Sequence, residues 1–350
     1  MKKSILFFLV FSISTVLVSA YNPPPSGELL HQFSSSELLS GGSLSTGGAF
    51  KNVRPESIGI NPSLIAGEQR WVVDLGYTAF IGTNDLEGFG SAFLAGFIIP
   101  SRYGNIALTM DGLFTNDLAK PHLGNSFLVD AAFAKDLTDD LYLGIGMKGG
   151  FGPEGDWALA GDVGFWYRIK SLRFLPFLKD LRWAFSLTNM GKSFLASEVG
   201  IIEGKEVSAS PSLFTPKIGL AGTLFSTKYI EGGMGIDFSF PIFQNLIADI
   251  AFEFLVANVF RIKAGWDMNL REVIAGHGPS LPSLSLSYTF NFSTKELDFM
   301  EKHGWQENEM LVSAAYKNLY KDVHLASGGL LLFLGQKDFE APVISLWGEE

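Results

Sequence analysis

"SLSLSYTFNF", residues 283–292, sets Leu284, Leu286, Tyr288, Phe290 and Phe292 on one side of an extended chain and Ser283, Ser285, Ser287, Thr289 and Asn291 on the other. Ten residues that keep a period of two without a slip define a β-strand, because successive strand side chains point to opposite faces. A soluble sandwich would turn the apolar row into a core. A membrane barrel would turn it to lipid and the polar row to a lumen.

The same alternation predicts strands at 71–81, 91–99, 105–114, 127–134, 141–149, 157–167, 181–188, 216–225, 232–240, 246–256 and 259–268, which makes twelve with the first. Connections alternate between compact ones ("PSRYG", "STKYIEG", "AN") and often longer ones ("TNDLAKPHLGN", residues 189–215). Outer-membrane barrels have short periplasmic turns and longer external loops in that order.

The N-terminus opens with Lys2 and Lys3, runs apolar from Ile5 to Val18, and places Val18 and Ala20 where a signal peptidase reads small residues. This predicts an export signal over residues 1–20, cleaved after Ala20. The run falls short of the ~20 apolar residues of a spanning helix, and Pro23, Pro24 and Pro25 follow it. With no cysteine in the chain, neither a lipidated N-terminal cysteine nor a disulfide is available. The chain carries 26 basic and 36 acidic residues, net −10; without Lys2 and Lys3 the balance is 24 to 36, or −12. That acidity argues against a nucleic-acid partner. Hydrophobic residues make up 47% of the chain, yet after the leader none of their runs is long enough for a membrane helix, so the apolar surface must be distributed over strands.

Within the predicted strands, the alternation puts Asp74, Asp111, Asp130, Asp162, Asp237, Asp249, Glu253 and Asp267 opposite the apolar row, together with Lys148, Arg182, Lys217, Arg261 and Lys263. Such a face suits either bulk water or a barrel lumen with charges paired across it. Tryptophan placement favours the barrel: Trp71, Trp157, Trp183 and Trp266 fall on apolar faces at or near strand ends, where a lipid–water interface holds a ring with one polar N–H.

No catalytic constellation, metal site or cofactor motif emerges. "GFGPEG" (residues 150–155) has dinucleotide-loop spacing, but Pro153 and a strand beginning at Trp157 predict a hairpin loop instead. The five histidines are never in metal-ligand spacing. Residues 21–70 are rich in Pro, Gly and Ser without sustained period and read as irregular. After Phe292, Leu311, Ala315, Leu319 and Val323 recur every fourth residue, as one face of a helix would. Residues 293–350 are therefore expected to form a C-terminal extension, with strand and helix both open for "HLASGGLLLFLGQKD".

"GGAF" (47–50), "PESIGINPSLIAGEQR" (55–70), "PSRYGNIAL" (100–108), "GDVGFWYR" (161–168), "LTNMGKSF" (187–194) and "FRIKAGW" (260–266) resemble the FadL-like outer-membrane barrels, a group that includes long-chain fatty acid transporters and the PorV-like secretion barrels. The resemblance spans residues 21–292. It implies an all-β transmembrane antiparallel barrel, which the family builds from fourteen strands, located in the outer membrane, with residues 21–70 folded inside as a plug or hatch. With the twelve strands counted above, the expectation is 12–14 strands over 71–292. The tail after Phe292 departs from the family, whose barrels commonly end on an aromatic strand terminus, and 293–350 is expected to be a periplasmic extension. The family's N-P-A turn corresponds to Asn61, Pro62 and Ser63.

The expected function is passive uptake of a long-chain fatty acid or similar hydrophobic small molecule, with outer-membrane lipid around the wall. Inward Val72, Phe80, Leu113, Trp166, Ile247 and Leu255 stand among small Gly76, Ala132, Ala160, Gly235 and Ala251, a lining that would accept an elongated apolar ligand or the plug itself. Candidate ligand-binding residues are Phe80, Trp166 and the cations Arg261 and Lys263, whose alternative role is to pair with Asp249, Glu253 or Asp267. The competing expectation is a non-transporting, PorV-like barrel that engages a periplasmic partner through the extension.

Overall fold

The computed structural model describes residues 33–40, 44–51, 53–118, 124–152, 155–169, 179–194, 213–274, 281–294, 305–319 and 322–336. The expected signal peptide lies outside them. Fourteen antiparallel strands close into one barrel: β1 (Trp71–Gly82), β2 (Gly88–Ser101), β3 (Gly104–Leu118), β4 (Ser126–Asp136), β5 (Leu141–Phe151), β6 (Trp157–Ile169), β7 (Lys179–Lys192), β8 (Thr215–Ser226), β9 (Ile230–Ser239), β10 (Ile247–Val256), β11 (Phe260–Asn269), β12 (Ser283–Ser293), β13 (Glu307–Leu319) and β14 (Val323–Leu334). Each strand pairs with its sequence neighbours, and β1 meets β14 in continuous register from Trp71↔Leu334 to Gly82↔Val323. Closure leaves no free edge, the condition for strands to cross a bilayer with every backbone group paired.

The first twelve strands are those the alternation predicts; the other two correct the expected boundary at Phe292. The expected extension over 293–350 supplies β13 and β14 to the wall, leaving residues 337–350 outside the described set. Leu311, Ala315, Leu319 and Val323 are all buried on the luminal side. A spacing of four is a multiple of the strand period as well as close to a helical turn, so those positions alone do not separate the two conformations. The feature that suggested a partner-binding tail is thus mostly barrel wall.

The opening stretch is resolved by β12. Ser283, Ser285 and Ser287 are 2–3% exposed, whereas Leu284 and Leu286 are 52% and 49% exposed on the outer surface. All thirteen charged side chains assigned to the polar face lie on inward positions of their strands, by the registers that pair Asp130 with Lys148, Asp249 with Asp267 and Glu253 with Lys263. Aromatic rings gather at both ends of the outer wall. Trp71, Tyr103, Tyr167 and Tyr229 stand near the rim where β1 begins, and Phe127, Phe151, Trp157 and Trp266 near the opposite one. Trp71 packs on Trp305 at 5.7 Å. Apolar belt and aromatic girdles define a transmembrane barrel of the outer-membrane type.

Four connections at the rim where β1 begins are short (102–103, 137–140, 227–229 and 257–259), and those from β6 to β7 and from β12 to β13 are longer. At Ala257–Asn258 both residues have positive φ (53° and 59°), a turn whose twist matches that of the flanking hairpin strands. Short turns mark this rim as periplasmic.

Replacing Leu286 by Arg is expected to impair membrane assembly, since a lipid-facing Arg costs ~2–4 kcal/mol at the bilayer midplane. Asn291→Arg, on the luminal face of the same strand, is expected to be tolerated. The measurement is the heat-modifiable fraction on gels after membrane extraction; equal loss in both variants contradicts the face assignment.

Candidate functional site: the filled lumen

Inside the wall lie the described residues of 33–70, which include short 3-10 turns (Leu38–Ser40, Pro55–Gly59, Pro62–Ile65). Irregular backbone leaves N–H and C=O groups without repeating partners, so each must be satisfied individually when buried. The inward polar residues of the wall do this. Asp237 accepts from Ser45 N (2.9 Å) and Ser45 Oγ (2.7 Å), and Glu253 Oε1 accepts from Ala49 N at 2.7 Å. Asn105 Nδ2 donates to Ile65 O and Glu68 O at 2.6 and 2.8 Å, Ser186 Oγ to Ile60 O at 2.7 Å, and Arg182 to Ala49 O. Much of the luminal polarity therefore serves the segment's backbone.

Two glycine features allow that closeness. Gly47 and Gly48 have φ of +76° and +87°, a left-handed turn that side-chain-bearing residues rarely adopt. A Cβ on Gly48 would also collide with the Glu253 carboxylate. In the wall, Gly144 of β5 and Gly164 of β6 are cross-strand partners. A Cβ at Gly144 would strike the Pro62–Ser63 peptide, and one at Gly164 would strike Asn61 Oδ1. The pair forms a notch for the expected plug turn. There Asn61 Oδ1 accepts from Ser63 N (3.0 Å) and Ser63 Oγ (2.7 Å), while its Nδ2 donates to Ser45 O (2.8 Å) and Phe165 O (3.3 Å). Asn61 thus joins two parts of the segment to the wall, with Pro62 fixing the first residue of the turn.

Apolar contacts cluster toward each end of the lumen. Near the external rim, Phe33 and Leu39 pack with Phe80, Leu113, Leu118, Leu319, Val323 and Leu325, and the Phe33 and Phe80 rings meet edge-on at 6.2 Å. Burying Phe33 or Leu39 contributes ~1.5–3 kcal/mol each. Near the periplasmic rim, Ile58, Ile65 and Ala66 pack with Val72, Ile98, Ala107, Leu331 and Phe333. There Arg70 bridges Glu68 and Glu309, each at 2.9 Å.

An ionic group also links segment and wall. Glu37 is ion-paired with Lys263 and lies 3.3 Å from Arg54, which itself reaches Glu56 at 3.3 Å. Lys263 also approaches Glu253 at 3.8 Å. Burial alone would raise the Glu37 carboxyl's pKa, but Arg54, Lys263 and Arg261 outweigh it and hold the group well below the usual carboxylate range. Burial would likewise lower the Arg54 pKa, and the facing Glu37, Glu56 and Asp74 reverse that. Glu37, Leu38, Gly47, Arg54, Glu56, Ser57 and Lys263 line a small cavity.

Of the residues singled out from sequence, Lys263 joins this ionic group and Arg261 adds its charge from the preceding inward position on β11. Phe80 belongs to the external apolar cluster. Trp166 stands apart from both, against Leu64, with its Nε1–H donating to Thr46 O at 3.3 Å and Lys51 Nζ over its ring. The structure thus does not bring the four together. Sequence reading missed Glu37, Arg54 and the glycine notch. Charges within the otherwise Ser- and Gly-rich segment were the only signal for the first two, and the notch requires the β5–β6 register.

No protein-family model matches the sequence, and no curated protein matches it. Solved structures that are similar include the Ralstonia pickettii toluene transporter TbuX, at 11% identity over 87% of this chain and 98% of that one (TM-score 0.48). The Pseudomonas putida toluene transporter TodX is 9% identical over 89% and 97% (TM-score 0.43), and a Pseudomonas aeruginosa FadL homologue 10% identical over 87% and 96% (TM-score 0.43). The fold itself defines the class: a closed fourteen-strand outer-membrane barrel whose lumen holds its own N-terminal segment.

Asn61→Ala removes a buried cap and orphans the groups it serves, at ~1–3 kcal/mol for each buried group left unsatisfied. It is expected to make the 33–70 segment protease-sensitive while heat-modifiable mobility persists, and Gly164→Ala is expected to do the same by filling the notch. Limited proteolysis with peptide mapping checks both.

Proposed function

We propose that this protein is an outer-membrane channel for hydrophobic small molecules, long-chain fatty acids being the favoured substrate class, and that its luminal segment is the closure of the channel. The observation that carries this reading is the apolar cluster near the external rim. Phe80, Leu113, Leu118, Leu319, Val323 and Leu325 come from four separate strands and face inward, where a water-filled porin is polar. The wall there is covered by Phe33 and Leu39 of the segment, so apolar luminal surface becomes available when those two side chains withdraw. Arg261 and Lys263 supply cations to the lumen for a carboxylate, through charge-assisted hydrogen bonds worth ~1.5–3 kcal/mol.

Purified protein in nanodiscs is expected to bind oleate, and cells producing it are expected to take up oleate faster than cells that lack it. Changing Arg261 and Lys263 together to Gln is expected to weaken oleate binding about tenfold or more, since ~1.4 kcal/mol corresponds to tenfold. Wild-type protein that binds no fatty acid, and no uncharged analogue of one, would refute the uptake reading.

A further inference from the structure

The stretch "FSSSELLS", Phe33–Ser40, has the chemistry of an anionic amphiphile laid along the lumen. Two of its three apolar members, Phe33 and Leu39, are inserted in the external apolar cluster, 1% and 2% exposed, while Leu38 lines the small cavity beside Glu37. Its one charge, Glu37, is equally buried and is held by Lys263 of the wall and by Arg54. The backbone around it is seated by small polar contacts: Ser34 Oγ donates to Asp111 Oδ1 (2.7 Å), Ser35 Oγ to Glu56 Oε1 (2.8 Å), and Ser36 Oγ meets Ser313 Oγ (2.5 Å). The turn Leu38–Ser40 rests on β11, β12 and β13.

The cations around Glu37 also face two further carboxylates, Glu56 at 3.3 Å from Arg54 and Glu253 at 3.8 Å from Lys263, yet the group is not fully satisfied. Arg261 contributes its charge to Glu37, yet its Nε and Nη1 are buried without a hydrogen-bond partner among the described residues. Arg54 Nε and Ser285 Oγ, on the strand beside β11, are in the same position. Buried guanidinium donors left open are costly, and a planar fork of two N–H groups matches a carboxylate bidentately. Glu37 Oε1, Glu56 Oε2 and Glu253 Oε2 are open among the described residues as well, so the group is not short of carboxylates; a carboxylate set closer to Arg261 than Glu37 would satisfy its fork.

We propose that Phe33–Ser40 is a built-in pseudo-ligand: Glu37 occupies a carboxylate site made by Arg54, Arg261 and Lys263, and Phe33 and Leu39 occupy the adjoining acyl-chain surface. The inference rests on the uptake reading for the chemistry of the true ligand and adds how the empty channel is kept closed. An anionic amphiphile competes with the segment for both subsites at once, whereas an uncharged one of equal chain length competes for the apolar subsite alone. Charge on the ligand then becomes the signal that releases Glu37.

Two measurements test this, each on the full-length protein in nanodiscs. Glu37→Gln is expected to raise oleate affinity at least tenfold and leave oleyl alcohol affinity within twofold of wild type, and the gain is expected to vanish when Arg261→Gln and Lys263→Gln are added. The chain has no cysteine, so Ser36→Cys provides a single reporter: its reaction with a water-soluble maleimide is expected to accelerate with oleate and much less with oleyl alcohol. Heat-modifiable mobility verifies the barrel in each variant. Oleate affinity unchanged by Glu37→Gln, or equal acceleration by acid and alcohol, overturns the pseudo-ligand. If oleyl alcohol binds while Glu37→Gln has no effect, the uptake reading stands and only the pseudo-ligand falls; if neither compound binds any variant, both fall.

Discussion

Everything in this molecule depends on the seam between β1 and β14. Twelve consecutive residue pairs join the first strand of the wall to the last, and without them both strands would present unpaired N–H and C=O groups to hydrocarbon, at several kcal/mol for each group. The seam forces the chain to deliver its final two strands after a long interval of polar sequence. It also fixes the inside, because closure turns one face of every strand toward a shared lumen.

That lumen is not empty, and its contents explain the composition of the wall. A closed sheet offers its interior only side chains, since its backbone groups are consumed by the ladder. An irregular segment placed within must therefore draw its hydrogen bonds from inward Asp, Glu, Asn, Ser and Arg residues, and Asp237, Glu253, Asn105, Ser186 and Arg182 provide them. Where backbone must approach backbone, the wall has glycine, as at the Gly144–Gly164 notch. Binding of the segment is distributed: hydrogen bonds orient it, apolar clusters toward the two rims supply burial, and the Glu37 ion group ties its first part to β11.

The distribution bears on how such a closure can open. The Asn61 turn is closed by its own hydrogen bonds, tied to Ser45 O and to Phe165 O of the wall, and set in a steric notch, whereas Phe33–Ser40 meets the wall through side-chain hydrogen bonds, the Glu37 ion pair, apolar contacts and the close approach of Ser34 O to Gly76. A buried ion pair contributes less net stability than its Coulomb attraction suggests, because both charges gave up hydration to form it. Exchanging one carboxylate for another in the same site avoids that loss.

The strand period, the aromatic ends and the inward charges were legible from residue order, since alternation is a property of one strand and needs no partner. Twelve strands and the two faces of "SLSLSYTFNF" followed from it, though not which of those faces meets lipid. Residues 307–334 were not legible in the same way: a four-residue spacing fits strand and helix alike, and pairing of β13 with β12 and of β14 with β1, more than two hundred residues away, is what selects the strand. The partners of Lys263 were equally out of reach, because Glu37 belongs to a segment without period whose position is set by contacts all round the wall. Sequence by itself determined which face of the first twelve strands is greasy; tertiary structure decided how many strands close the circle and what fills it, because closure and filling are long-range pairings that no local pattern encodes.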